Sequence, residues 1–296
     1  MFIPEFTARR KRTLGLFVVA LLALSPVLLY AVERLSFRPG FNLFSPQQDV
    51  DLGQKSAGEV NKQLPLIRDA QVVSYINGLG KRLAALAPAR PQNFSYNWTF
   101  NVVNSSEINA FALPGGFIYI NRGAIESAQN EAQIAGVLAH EEGHVVMRHG
   151  THQASEMMLA QAPLSILGGL LGQSSSLGSQ LAGLGISFGV NSIFLRNSRS
   201  AESQADQVGT YILYHAGYDP YAMAQFFQII EKKYPQQTIQ FLSDHPNPGN
   251  RIKSVDEEIP LLGPKRDGKE DSPEFEAIKS RLQSMPSPPP PPKSAH

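Results

Sequence analysis

The stretch Asn130-Glu-Ala-Gln-Ile-Ala-Gly-Val-Leu-Ala-His-Glu-Glu-Gly-His-Val-Val146 organises the reading of the whole chain. Asn130 is a good helix N-cap, and Gln133 stands where a capping box needs its partner. Ile134, Val137, Leu138, Val145 and Val146 supply the apolar positions of a helix, which could continue beyond His149. Inside it, His140-Glu141-Glu142-Gly143-His144 matches H-E-x-x-H. Residues four apart share a helix face, so both imidazoles can reach one ion. Glu141, adjacent in sequence, can approach a water at that ion without binding the metal. This is the arrangement for metal-assisted hydrolysis: the ion lowers the pKa of water and the carboxylate removes the proton. A lone histidine on a helix is more often a structural residue; a pair at this spacing in a capped helix points to a metal.

A catalytic zinc takes three protein ligands and keeps one position open. A third histidine six residues after His144 would complete one known pattern, but that position is Gly150, and His149 falls one residue early and points away from the His140–His144 face. A distant glutamate on another helix is the second candidate. Ser200-Ala-Glu-Ser-Gln-Ala-Asp206 offers Glu202 and Asp206, four apart on one face of a helix expected from Ser198–Ser200 to Ala216, with Gly217 as its C-cap. Glu202 would bind the metal and Asp206 would take the free N–H of a ligand histidine, most naturally His140. His245 is the third candidate.

Upstream, a polar amphipathic helix is expected from Gln47 to Lys62, and a second from Asp69 to about Leu86, with Val72, Val73, Ile76, Leu79 and Leu83 on one face and Pro88 and Pro91 ending it. Phe94, Tyr96, Trp98, Phe100 and Val102 alternate with polar residues, as in a half-buried strand. After a turn at Asn104-Ser105-Ser106, Pro114-Gly115-Gly116 marks a bend between two short strands, so an antiparallel sheet is predicted. Another helix should run from Tyr221 to about Tyr234.

Four pieces, in order, resemble the gluzincin metalloproteases that include HtpX-like, OMA-type and CAAX-prenyl-protease-like enzymes, most closely the periplasmic BepA-like branch. They are Asn109-Ala-Phe-Ala-Leu-Pro-Gly-Gly116, the zinc helix through His149, the E-x-x-A-D of Glu202 to Asp206, and His245-Pro246 with Arg251-Ile252. The resemblance covers about Pro46 to Ile259. It implies bound Zn2+, peptide-bond hydrolysis and an α+β fold: a mostly helical zincin-type domain with a small antiparallel sheet. It further implies that Asn109, Ala110, Phe111, Ala112 and Leu113 align an extended or unfolded polypeptide by strand addition, and that His245 and Arg251 stabilise the oxyanion of the tetrahedral intermediate. The branch often carries a long C-terminal helical-repeat domain, for which the polar, Pro-rich stretch here offers no counterpart. A different reading makes the chain a latent or chaperone-like envelope protein with a structural metal site, His245 being a fourth ligand.

Composition sets the frame. The chain has 296 residues, 42% of them hydrophobic, a formal net charge of +1 and no cysteine. Balanced charge argues against a nucleic-acid partner, and a metal site must use His, Asp and Glu. Arg9-Arg-Lys-Arg12 precedes an uncharged run from Leu14 to Val32, long enough for a bilayer core. Residues 1–36 are therefore expected to be a signal peptide or membrane anchor, placing the remainder outside the cytoplasmic membrane. Residues 37–46 read as a linker, 47–262 as the metalloprotease domain and 263–296 as a polar, Pro-rich tail. The stretch from Met157 to Leu195 has no charged residue and reads as a lid, a plug or a packed hairpin beside the site.

Overall fold

The computed structural model describes residues 37–88, 94–161, 197–234, 240–247, 249–264 and 267–289. The N-terminal apolar run, most of the uncharged 157–195 stretch and the end of the proline run lie outside them. Among the described residues no helix is long and apolar enough to cross a membrane.

Local signals place the first elements. Helix α1 (Pro46–Gln63) opens on a capping box between Ser45 and Gln48, so the segment read as linker ends in the helix's own cap. Helix α2 (Ala70–Ala84) is capped by Asp69, whose carboxylate accepts from Gln71 and Val72 N–H. Its stripe of Val72, Ile76, Leu79 and Leu83 is buried.

The aromatic alternation continues into β1 (Thr99–Val103), followed by β2 (Ala110–Leu113) and β3 (Phe117–Asn121). Tyr96, Trp98, Phe100 and Val102 are all buried, as the period of two predicts, although the strand itself starts only at Thr99. The sheet is not wholly antiparallel. Its order is β1-β3-β2, with β2 and β3 antiparallel and β1 and β3 parallel. The connection after β1 crosses past β3 before the hairpin is laid down, and strand order of this kind is a long-range outcome that alternation does not encode. Its consequence is that β2 forms an edge. Gly115, with φ +79°, turns the hairpin against α1; an added Cβ would lie 2.5 Å from Val50 Cα.

A short helix, α3 (Arg122–Ser127), leads to α4 (Glu131–Val146), in which every residue is buried. Burial on all sides makes it the axis of the core. Asn130 accepts from Gln133 N–H at 3.0 Å, but the Gln133 side chain reaches back to Gln129 N–H rather than to the cap residue. The helix does not run on past His149. Arg148 takes φ +57° and a new helix, α5 (His149–Gln161), starts beyond it. The left-handed residue is held by its own side chain, which donates to both Asp49 carboxylate oxygens at 2.5 and 3.0 Å and to Phe44 O at 2.6 Å.

Helix α6 (Arg199–Ala216) carries Ser198 as cap and Gly217 at φ +77° after its last turn. Helices α7 (Ala222–Lys233), α8 (Gln240–Asp244) and α9 (Arg251–Leu262) follow. The stretch read as a polar tail contains a packed helix, α10 (Pro273–Ser284), with Phe275, Ile278 and Leu282 buried. Their i, i+3, i+7 spacing places them on one face against α2 and α3. Just before α10, Lys269 Nζ donates to the buried Glu131 carboxylate at 2.8 Å, and the Ser272 and Tyr218 hydroxyls donate to the same group.

Phe275→Ala is expected to cost about 3–5 kcal/mol in urea unfolding; a loss below about 1 kcal/mol would make α10 peripheral. Arg281 Nε donates to the Asp69 carboxylate at 2.7 Å and holds its pKa down at about 2. A depressed folded-state pKa contributes stability above the unfolded value of about 4, and that contribution is lost as pH falls through about 2. The stability gap between wild type and Arg281→Ala should therefore shrink between pH 5 and pH 2.

Candidate metal centre

His140 and His144 lie one turn apart on α4, and their Nε2 atoms are 3.0 Å from each other. Glu202 reaches them from the first turn of α6. Its Oε2 is 3.3 Å from His140 Nε2 and its Oε1 is 3.3 Å from His144 Nε2. Gly143 permits the approach of the two helices, since a Cβ there would meet Ala205 O at 2.8 Å. His245, directly after α8, brings Nδ1 to 3.1 Å from Glu202 Oε1 and 3.2 Å from His140 Nε2. One donor atom from each of these four buried residues lies within 4.8 Å of all the others.

The donors fit a zinc ion. Tetrahedral bonds of ~2.0–2.1 Å separate neighbouring donors by about 3.3 Å, close to the spacings among His140, His144 and Glu202. Nitrogen and carboxylate donors suit zinc or a related first-row ion. Charge balance agrees. Arg251 pairs with the buried Glu202 and Asp206, and the neighbouring buried Glu141 adds a carboxylate that a cation in the site would offset.

Asp206 lies where the sequence places it, with Oδ1 3.0 Å from His140 Nδ1. Arg251, at the start of α9, differs from expectation. The resemblance implies an oxyanion donor, but its guanidinium grips Asp206 Oδ1 and, at 3.2 Å, Glu202 Oε2. It also stacks 3.8 Å over the Phe227 ring. Its charge is committed to the Glu202 and Asp206 carboxylates, and it is not among the residues that line the cleft in front of the imidazole pair.

That cleft is lined by Glu141, His144 and His245 on one side and by Phe111, Ala112 and Leu113 of β2 on the other, with Asp49 and Arg148 at its margin. Asn109 O accepts from Asn121 N–H at 2.9 Å. By antiparallel alternation, Ala110 and Ala112 then turn their backbone groups to the open edge. Ala110 O does face that way, 3.4 Å from His245 Nε2. Asn109 and Phe111 serve the scaffold: the Asn109 side chain accepts from Ala110 N–H and the Phe111 ring stacks on Tyr119 at 4.9 Å.

Burial opposes the His140 cation, but the Glu202 and Asp206 carboxylates outweigh it and lift its pKa to about 9. Burial pushes His144 well below the usual range. Burial raises Glu141 above an ordinary carboxylate. Glu202 is held well below its usual range because the His245 and His140 charges overcome desolvation.

His149 is no ligand, yet it does not point away either. The left-handed Arg148 turns the chain back, so His149 Nδ1 lies 2.8 Å from His144 Nδ1, and His149 Nε2 lies 2.9 Å from Gln204 Oε1. Spacing turns His149 away because it assumes an unbroken helix, and it gives Gln204 no mark of its own.

The profile of peptidase family M48 matches residues 71–259. The chain belongs to peptidase family M48. Among its relatives are the beta-barrel assembly-enhancing proteases of Yersinia pestis, 33% identical over 217 residues, and of Escherichia coli K12, 31% identical over 211. Those alignments cover 71% and 69% of this chain but 44% and 42% of the relatives, so the chain spans less than half their length. The mitochondrial metalloendopeptidase OMA1 of Schizosaccharomyces pombe is 29% identical over 195 residues, 65% of this chain and 55% of its own. Family and relatives together support a hydrolase of the metalloendopeptidase class.

Gly143→Ala should disturb this M48 site by overpacking. The expected result is a stability loss of about 1–3 kcal/mol and zinc below one per chain by elemental analysis; full zinc and unchanged stability would show that the helices can part without cost.

Proposed function

We propose that this chain is a zinc-dependent endopeptidase that hydrolyses extended segments of misfolded or misassembled cell-envelope proteins. The observation that carries the reading is the convergence of His140, His144 and Glu202 beside the cleft that Glu141 and the edge of β2 share. His140, His144 and Glu202 would hold the zinc, which when bound polarises a carbonyl and acidifies water. Asp206 accepts the Nδ1 proton of His140 and fixes its orientation. Arg251 holds the Glu202 and Asp206 carboxylates in place.

The substrate backbone would add to β2 as a further strand, pairing with the N–H and C=O of Ala112. Glu141 stands on the same cleft, with an Oε1 that makes no hydrogen bond among the described residues and lies 3.4 Å from His245 Nε2. It is placed to take a proton from the attacking water, and its raised affinity for protons suits it to pass that proton to the leaving amine. The envelope substrate class draws support from two relatives named for beta-barrel assembly. An exported location, with residues 14–32 as anchor or as a removed signal, rests on the basic cluster and apolar run of the sequence.

A second reading is favoured by His245, whose Nδ1 belongs to the four-donor cluster. As a fourth ligand it would fill the open position and hold the enzyme latent.

Glu141→Gln should retain one zinc per chain while cleavage of a casein-like substrate falls about 100- to 10,000-fold; full activity would remove Glu141 from the reaction. His245→Ala separates the two readings. Faster proteolysis supports latency, and slower proteolysis supports a role in stabilising the oxyanion.

A further inference from the structure

The two ligand imidazoles are backed by groups of different kind. His140 Nδ1 faces the Asp206 carboxylate, which can only accept. His144 Nδ1 faces a second imidazole, His149, at 2.8 Å, and His149 Nε2 in turn faces the side-chain amide of Gln204 at 2.9 Å. Both rings are buried, whereas Gln204 is exposed. We infer that His149 and Gln204 form a relay that sets the tautomer of His144 and thereby controls whether its Nε2 is presented to the metal. The inference rests on the metal centre proposed above.

Donor and acceptor capacity fix the logic. A nitrogen that binds a metal carries no proton, so a neutral ligand His144 bears its proton on Nδ1 and donates it to His149 Nδ1. That nitrogen must then be bare, which puts the His149 proton on Nε2, donated to the Gln204 amide oxygen. Every donor has an acceptor. The reverse arrangement is equally satisfied. Gln204 turns its NH2 toward His149 Nε2, His149 Nδ1–H donates to His144 Nδ1, and His144 Nε2 carries a proton facing Glu202 Oε1 at 3.3 Å. In that state the second imidazole cannot bind.

Passage from the blocked to the open state balances. The His149 Nδ1 proton crosses to His144 Nδ1, the His144 Nε2 proton leaves to solvent, and His149 Nε2 gains one proton at the exposed Gln204 end as the amide turns. No net charge changes. A glutamine serves both states because its amide offers an acceptor and two donors. His149 and Gln204 are thus positioning residues for His144, and α6 supplies Glu202 toward the metal, Asp206 behind His140 and Gln204 behind His149.

The test uses the full chain and zinc alone, with affinity read by competition against a chromophoric chelator. Gln204→Glu can only accept and should bind zinc at least as tightly as wild type. Gln204→Lys can only donate and should bind about 10- to 100-fold more weakly. In a His149→Phe background, which severs the relay, the gap between the two position-204 variants should collapse. A gap that persists there shows simple charge attraction and overturns the inference, as does the lack of any gap in the native background. Should His149→Phe fail to fold, 15N spectra of the zinc-free chain replace it. The His149 proton is expected on Nε2 in Gln204→Glu and on Nδ1 in Gln204→Lys, and the same tautomer in both overturns the inference. Absence of zinc binding by wild type would instead remove the metal centre itself.

Discussion

One close contact between backbones governs this molecule. Gly143 of α4 lets the chain of α6 come near enough at Ala205 for Glu202 to reach the imidazole pair. Helices ordinarily cross at 8–10 Å because side chains keep them apart; the absence of one here removes that spacer beside His140, His144 and Glu202. The approach carries an electrostatic demand. Two helices distant in sequence share a buried, charged interface, and those charges must be neutralised from elsewhere.

The neutralising groups come from the C-terminal part of the chain. Arg251 answers two carboxylates at once, and its stacking on Phe227 fixes the plane of the fork. At the opposite end of α4, Glu131 is met by Lys269, Ser272 and Tyr218. The central helix is thus held by electrostatic contacts at each end and by apolar packing between. That arrangement suits an element whose side chains must stay placed within fractions of an ångström for chemistry.

Local chemistry was readable from the sequence, and long-range agreement was not. Asn130, Asp69, Ser198 and Gly217 act as caps where their residue types suggest, because a cap is a matter of a few neighbouring atoms. The His140–His144 pair and the Glu202–Asp206 pair were visible as helical spacings, and the structure brings them together. The crossover that makes β1 parallel to β3 was not visible, since each strand's pattern is the same in either order. The break at Arg148 was hidden because the strain of a left-handed arginine is offset by Asp49, 99 residues earlier. Arg251 is legible only once its two carboxylates are seen on α6. Helix α10 did leave a signal, Phe275, Ile278 and Leu282, but polar and proline-rich surroundings obscured it.

The clamp on Glu131 has a consequence for biogenesis. Lys269 and Ser272 follow Glu131 by 138 and 141 positions. A nascent chain, made or threaded from its amino end, therefore exposes the metal helix long before the groups that satisfy its acidic first turn exist. The acidic first turn of that helix is satisfied only once the chain through Ser272 has emerged. Vectorial synthesis thereby makes the clamp on Glu131 one of the late contacts to form.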